Sequence, residues 1–131
     1  MVNQKDKLTI QEVARLTGLS THTLRYYERI GLIHPIDREQ NTRRCYTTDD
    51  VGWIDFLLKL RATGMSIKDM QRYAALQRKG DPTLPQRVEM LRALKASVEA
   101  RMEELGEHLN LVNYKIDIYQ KIVEEKMMEK V

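Results

Sequence analysis

The chain has 131 residues, of which 42% are hydrophobic and 31% charged, with a net charge of +3 at neutral pH. That length holds one ordinary domain plus an appendage, too little for two full-sized cores, and the composition excludes disordered and fibrous classes. No run approaches the roughly 18–20 apolar residues of a membrane span, and "MVNQKDKLT" lacks the apolar core of a signal peptide, so a cytoplasmic protein with no membrane partner is expected.

Helix starts are legible along the chain. Thr9, Thr47 and Ser66 are each followed three positions later by a carboxylate, Glu12, Asp50 and Asp69, the spacing of a capping box. After Thr9 the residues Ile10, Val13, Ala14 and Leu16 read as an inward stripe, ended by the turn at Gly18. Ser20 then caps a second helix that runs to about Ile30, with Gly31 suited to the position just past its end. Two short helices joined by a tight turn make a helix-turn-helix.

"THTLRYYERIGLI" is too polar for a packing helix. Leu24 and Ile30 face inward, leaving Thr21, His22, Thr23, Arg25, Tyr26, Tyr27 and Arg29 for other tasks. Arginine forks phosphates or reads the acceptor edge of guanine, and tyrosine hydroxyls reach phosphates from an apolar body, so a helix meant for a DNA groove explains the mixture. An exposed helix with Glu28 paired to a neighbouring arginine is the bland reading of the same residues.

Residues 32–46, "LIHPIDREQNTRRCY", have no helical period and read as a β-hairpin. A third helix over about 48–62 draws its core from Val51, Ile54, Phe56, Leu57, Leu58 and Leu60 with Trp53. A fourth, from Ser66 to about Gln77, offers Ile67, Met70, Tyr73, Ala74 and Leu76. "RKGDPTLPQ" breaks the chain, and Pro85 suits the first turn of a fifth helix.

The last segment carries the strongest period. Leu84, Val88, Leu91, Lys95, Val98, Met102, Leu105, Leu109, Val112, Ile116, Tyr119 and Val123 recur at spacings of three and four. A helix of about 40 residues is ~60 Å long. A head of about 80 residues cannot cover that seam, so a coiled-coil homodimer is expected, with Leu91, Val98, Met102, Leu105, Leu109, Val112, Ile116 and Tyr119 at its interface. An intramolecular hairpin would need a break near the middle, where only Gly106 offers one. The organisation is then a DNA-binding part, 1–80, and a dimerisation helix with a short tail, 81–131. Charge follows the same division: residues 1–80 hold 14 Lys/Arg against 9 Asp/Glu, or +5, and residues 81–131 hold 8 against 10, or −2. The basic part suits a polyanion.

Other chemistry is sparse. Cys45 is the single cysteine and His22, His34 and His108 show no ligand spacing, so no metal and no cofactor are expected. No nucleophile with a base and no phosphate-cradling glycine loop is present, which argues against an enzyme. An adaptor that uses only the long helix would leave "RYYER" and "TRR" unexplained.

"LTIQEVARLTGLSTHTLRYYERIGLIHP" followed by "NTRRCYTTDDVGWIDFLLKLRATGMSIKDM" strongly resembles the MerR family of transcriptional regulators. The resemblance covers residues 8 to about 80, and the long helix fits the family's layout. It implies a mainly α fold: a winged helix-turn-helix head with a small β-hairpin wing, then a long helix pairing in an antiparallel coiled coil. The implied partners are a palindromic promoter operator, whose duplex is bent and untwisted, and RNA polymerase at that promoter. Carried over by position, it makes residues 20–30 the recognition helix, with Thr9, Ser20, Thr21, His22, Thr23 and Arg25 at DNA, Tyr26 and Tyr27 touching phosphates or packing beside them, Arg44 on the wing against the backbone with Arg43 as its helper, and Tyr46 as the wing's anchor. Thr42 departs from the glycine common at the wing tip, and Asn41 adopts positive φ more readily, which shifts the turn by one residue.

"GMSIKDM" and "YKIDIYQK" resemble the small aldehyde- and electrophile-responsive members of that family. "DPTLPQRV" and "EEKMMEKV" carry none of the cysteines of the metal and redox sensors, and 131 residues are expected to be too few for the large C-terminal domain of the multidrug sensors, so those three effector classes are disfavoured. Where many of the electrophile-responsive relatives carry a cysteine, this chain has Lys59. Any thiol sensing must therefore run through Cys45, beside Arg43 and Arg44, although one thiol near arginines is more often structural or incidental; a Cys45→Ser protein with an intact response to aldehydes or oxidants would exclude the thiol route.

Overall fold

The computed structural model describes residues 7–36 and 45–130. Five α-helices follow in order: α1 (Ile10–Thr17), α2 (Thr21–Arg29), α3 (Thr48–Ala62), α4 (Ile67–Lys79) and, after a 3-10 turn at Asp81–Thr83, α5 (Leu84–Glu129). The fold is mainly α. Residue contacts gather it into two units, Met1–Leu94 and Lys95–Val131.

The caps form largely where expected. Thr9 and Thr47 make complete capping boxes with Glu12 and Asp50, each cap hydroxyl accepting the third amide while the carboxylate accepts the cap's own N–H. At Ser66 only half the box forms: the hydroxyl accepts from the Asp69 amide. Ser20 caps α2, its hydroxyl accepting the Thr23 amide at 3.0 Å. Gly18 ends α1 at φ 78° and Gly31 follows α2 at φ 85°, the left-handed region in which a Cβ is strained.

The core of the first unit is built from one face of each short helix. Val13, Leu24, Leu32, Ile54, Leu57 and Met70 are fully enclosed, with Tyr27 and Tyr46 the largest buried rings. Leu16 corrects the expected α1 stripe: it is 62% exposed. Six residues on from Ile10 it lies about 120° round the helix, whereas Val13, Ala14 and Thr17 stay on Ile10's side. Trp53 stacks on Tyr73 with centroids 6.1 Å apart, and Phe56 lies tilted against both rings.

Of the stretch expected as a hairpin, residues 37–44 lie outside the described residues, and with them Asn41, Thr42, Arg43 and Arg44. Leu32, Ile33 and Ile36 are buried on its near side. On its far side Tyr46 forms an antiparallel bridge with Leu8, amide to carbonyl in both directions at 2.8 and 2.9 Å.

The first turns of α5, assigned from sequence to the second part, pack in the first unit. Met90, Leu91 and Leu94 are partly buried against its core, so Leu91, expected at the dimer seam, also packs within its own chain. Arg87 is buried at 8% exposure, with its guanidinium donating to the Thr83 hydroxyl, the Gln77 side-chain carbonyl and the Gly80 carbonyl at 3.1, 2.5 and 3.0 Å. Three neutral acceptors thus replace its water, tying the start of α5 to the end of α4. From Lys95 onward the helix leaves its apolar positions open: Met102, Leu105, Leu109, Val112, Ile116 and Tyr119 are each more than half exposed, and Val98 is half-buried.

Candidate nucleic-acid interface

The second helix divides by period. Leu24 and Tyr27 are buried, while His22, Arg25, Tyr26 and Arg29 are exposed, spaced by three and four so that they share one face. Arg29 lies 5.8 Å over the Tyr26 ring, a cation–π contact that holds both side chains together on this face. No acidic residue stands in the first turn, so the positive end of the helix dipole is left uncancelled beside Thr21, His22 and Thr23. The face combines two guanidiniums, a phenol and an imidazole on one rigid support, which suits phosphate and base-edge acceptors.

The candidates separate once they are placed. His22, Arg25 and Tyr26 stand out in solvent, Thr21 and Thr23 are half-buried, and Thr9 and Ser20 serve as caps at exposed helix starts. Of the two roles left to Tyr27, phosphate contact is corrected to packing: at 2% exposure its ring belongs to the core, and its hydroxyl accepts a hydrogen bond from Arg61 Nη1 at 2.8 Å. Tyr46 is fully buried, so it supports from behind the surface. Arg43 and Arg44 fall outside the described residues, and Cys45 beside them is half-buried. Arg29, grouped in the sequence with the outward residues but not carried over from the family as a contact, lies four residues from Arg25 and shares its face.

The exit from α2 is held from the other helices. The carbonyls of Tyr26, Tyr27 and Glu28 receive backbone amides of residues 30–33. Those of Ile30, Gly31 and Leu32 receive side chains: Gln71 Nε2 donates to Ile30 O at 2.8 Å, Arg78 Nη2 to Gly31 O, and Trp53 Nε1 to Leu32 O at 2.8 Å. Glu28 in turn accepts the Ile36 amide at 3.0 Å. Beside this exit lies a cavity of about 240 Å³ lined by Leu32, His34, Asp49, Asp50, Trp53, Ala74, Gln77 and Arg78.

His34 joins that exit to the start of α3. Its Nε2 lies 2.6 Å from Asp50 Oδ1 and its Nδ1 2.9 Å from the Pro35 carbonyl. Both partners are acceptors, and a neutral imidazole has one N–H, so only the protonated ring satisfies both. Burial, the largest single influence, lowers the pKa, as does Arg78. The Asp50 hydrogen bond, the Pro35 carbonyl and the Asp50 charge together outweigh them and raise it above 6.5. A pKa raised on folding adds stability that is complete below the unfolded value and lost as pH climbs through the folded one. Urea titrations at pH 6 and pH 8 are therefore expected to differ in this sense, by less than about 1 kcal/mol because the His34 ring is about half exposed to solvent. In His34→Gln the part owed to this ring disappears.

Comparison with known proteins agrees with this geometry. Residues 8–77 match the MerR HTH family regulatory protein, and residues 51–109 match the family described as MerR, DNA binding. An uncharacterized HTH-type transcriptional regulator of Haemophilus influenzae is 34% identical over 113 residues, 86% of this chain and 84% of that protein. A MerR family transcriptional regulator from Listeria monocytogenes superposes with a TM-score of 0.82 at 35% identity, over 95% of this chain and 99% of that one. HiNmlR, a MerR family regulator lacking the sensor domain and crystallised bound to promoter DNA, superposes with a TM-score of 0.79 at 34% identity, covering 88% and 91%. These relatives are regulators, not enzymes.

Proposed function

The chain belongs to the MerR family of helix-turn-helix transcriptional regulators, and on that premise we propose that it binds a palindromic promoter operator as a homodimer. The observation that carries this reading is the exposed face of α2, with His22, Arg25, Tyr26 and Arg29 presented by a helix whose opposite face is locked in the core. Arg25 reaches base edges, and Tyr26 and Arg29 brace the backbone beside it. Thr9, Ser20, Thr21, His22 and Thr23 lie at the helix starts nearest the duplex, and Arg43 and Arg44 add wing contacts to phosphate.

The apolar seam of α5 from Val98 to Tyr119 supports the homodimer, because an apolar stripe of this length left in water calls for a second copy. Two heads at a fixed separation bend and untwist the duplex between them, so that an overlong promoter spacer becomes readable by RNA polymerase. The stress-response part of the reading, toward aldehydes or other electrophiles, rests on the tracts "GMSIKDM" and "YKIDIYQK". No helix among the described residues is long and apolar enough to cross a membrane.

The test is direct. Arg25→Ala is expected to weaken binding to the operator about tenfold or more, since a good bidentate base contact is worth roughly 1–3 kcal/mol of discrimination and the dimer loses two. Wild-type affinity should fall steeply with salt as Lys and Arg displace counterions. Binding indifferent to ionic strength, or a footprint without twofold symmetry, would contradict the reading.

A further inference from the structure

A helix ends with carbonyls that its own backbone does not satisfy, and water normally takes them. In α2 the carbonyls of Tyr26, Tyr27 and Glu28 are taken by backbone amides, and just past the helix the three consecutive carbonyls of Ile30, Gly31 and Leu32 are taken not by water but by Gln71 and Arg78 of α4 and Trp53 of α3, across 41, 47 and 21 residues of sequence. Trp53 is itself fixed by stacking on Tyr73, so this donor has little freedom to follow a displaced carbonyl. We propose that Gln71, Arg78 and Trp53 are positioning residues for sequence reading: they set the angle at which α2 meets the groove without touching DNA. The inference rests on α2 being the reading helix.

The physical case is one of geometry. Base-edge contacts demand placement within a fraction of an ångström, whereas phosphate contacts by long cationic side chains tolerate a shift of the support. A loosened clamp should therefore cost the protein its choice among sequences while sparing its general attraction to DNA. Because all three donors sit on α3 and α4, any rearrangement of that helix pair reaches the reading face through them.

The experiment uses the full chain and two probes: a duplex that the wild-type protein selects from a random-sequence pool, and a scrambled duplex of equal length. Gln71→Met and Trp53→Phe each remove one neutral donor and keep most of the side-chain bulk. Affinities are measured across a salt series for both single variants and the double. Each single variant is expected to lose operator affinity about tenfold, the scale of one mismatched base pair, and the double variant more. The affinity for scrambled duplex and the salt slope should stay at wild-type values, because no phosphate contact is removed. A purely structural role would lower the urea midpoint and leave the operator-to-scrambled ratio alone. A ratio within twofold of wild type in the folded double variant overturns the inference. Gln71→Met alone decides if the double variant melts below the assay temperature. Should the wild-type protein itself show no preference for its selected duplex, the DNA reading fails together with the inference; an intact preference with unaffected variants defeats the inference alone.

Discussion

Leu105→Glu combined with Val112→Glu yields a monomer by sedimentation and lowers operator affinity by about 100-fold or more at moderate salt, the scale on which a second tethered head raises binding. The two positions stand seven residues apart on α5, hence on one face, and are 65% and 54% exposed in the single chain. In a paired coil each would be desolvated against its counterpart, and four carboxylates brought together without partners oppose association. Glutamate is a good helix former, so the change strikes at pairing rather than at the helix itself. The first unit keeps its own core, and its cooperative unfolding should persist in the variant. A protein that still sediments as a dimer would show that the seam is not the contact between copies.

Leu24→Ala should be the most damaging single substitution behind the reading face, at about 3 kcal/mol by the range for enclosed leucines. Leu24 has no exposed surface and sits on the inward side of α2, in one core with Ile10, Val13 and the buried residues of α3. For a unit of this size, a loss of that order lowers the melting temperature by about 12–24 °C. The control is Leu16→Ala, the same chemical change one helix earlier. At 62% exposure Leu16 has little burial to lose, and the expected change stays within about 0.5 kcal/mol. Equal losses at the two sites would mean that α1 and α2 are packed the other way round.

These two leucines also separate what is local from what is not. The helix starts at Thr9, Ser20, Thr47 and Ser66, the stop at Gly31 and the seam of α5 were legible in the sequence, because each rests on bonds or periods spanning seven residues or fewer. The surplus of charge and aromatic character for which α2 is proposed as the reading helix was legible too, since it is a property of a ten-residue stretch.

Adjacent Tyr26 and Tyr27 look alike in the chain, yet one lies 42% exposed on the outer face and the other is enclosed with Arg61 on its hydroxyl. Leu91, at the start of the long helix, is partly buried against the core of the first unit, because neighbours distant in sequence decide which side of a helix finds cover. The helices and the chemistry of the reading face are thus written in the order of residues, through interactions that close within a turn or two. Which side chains stand behind that face is settled by packing alone, since the donors on Ile30, Gly31 and Leu32 come from 21 to 47 residues away and no local period announces them.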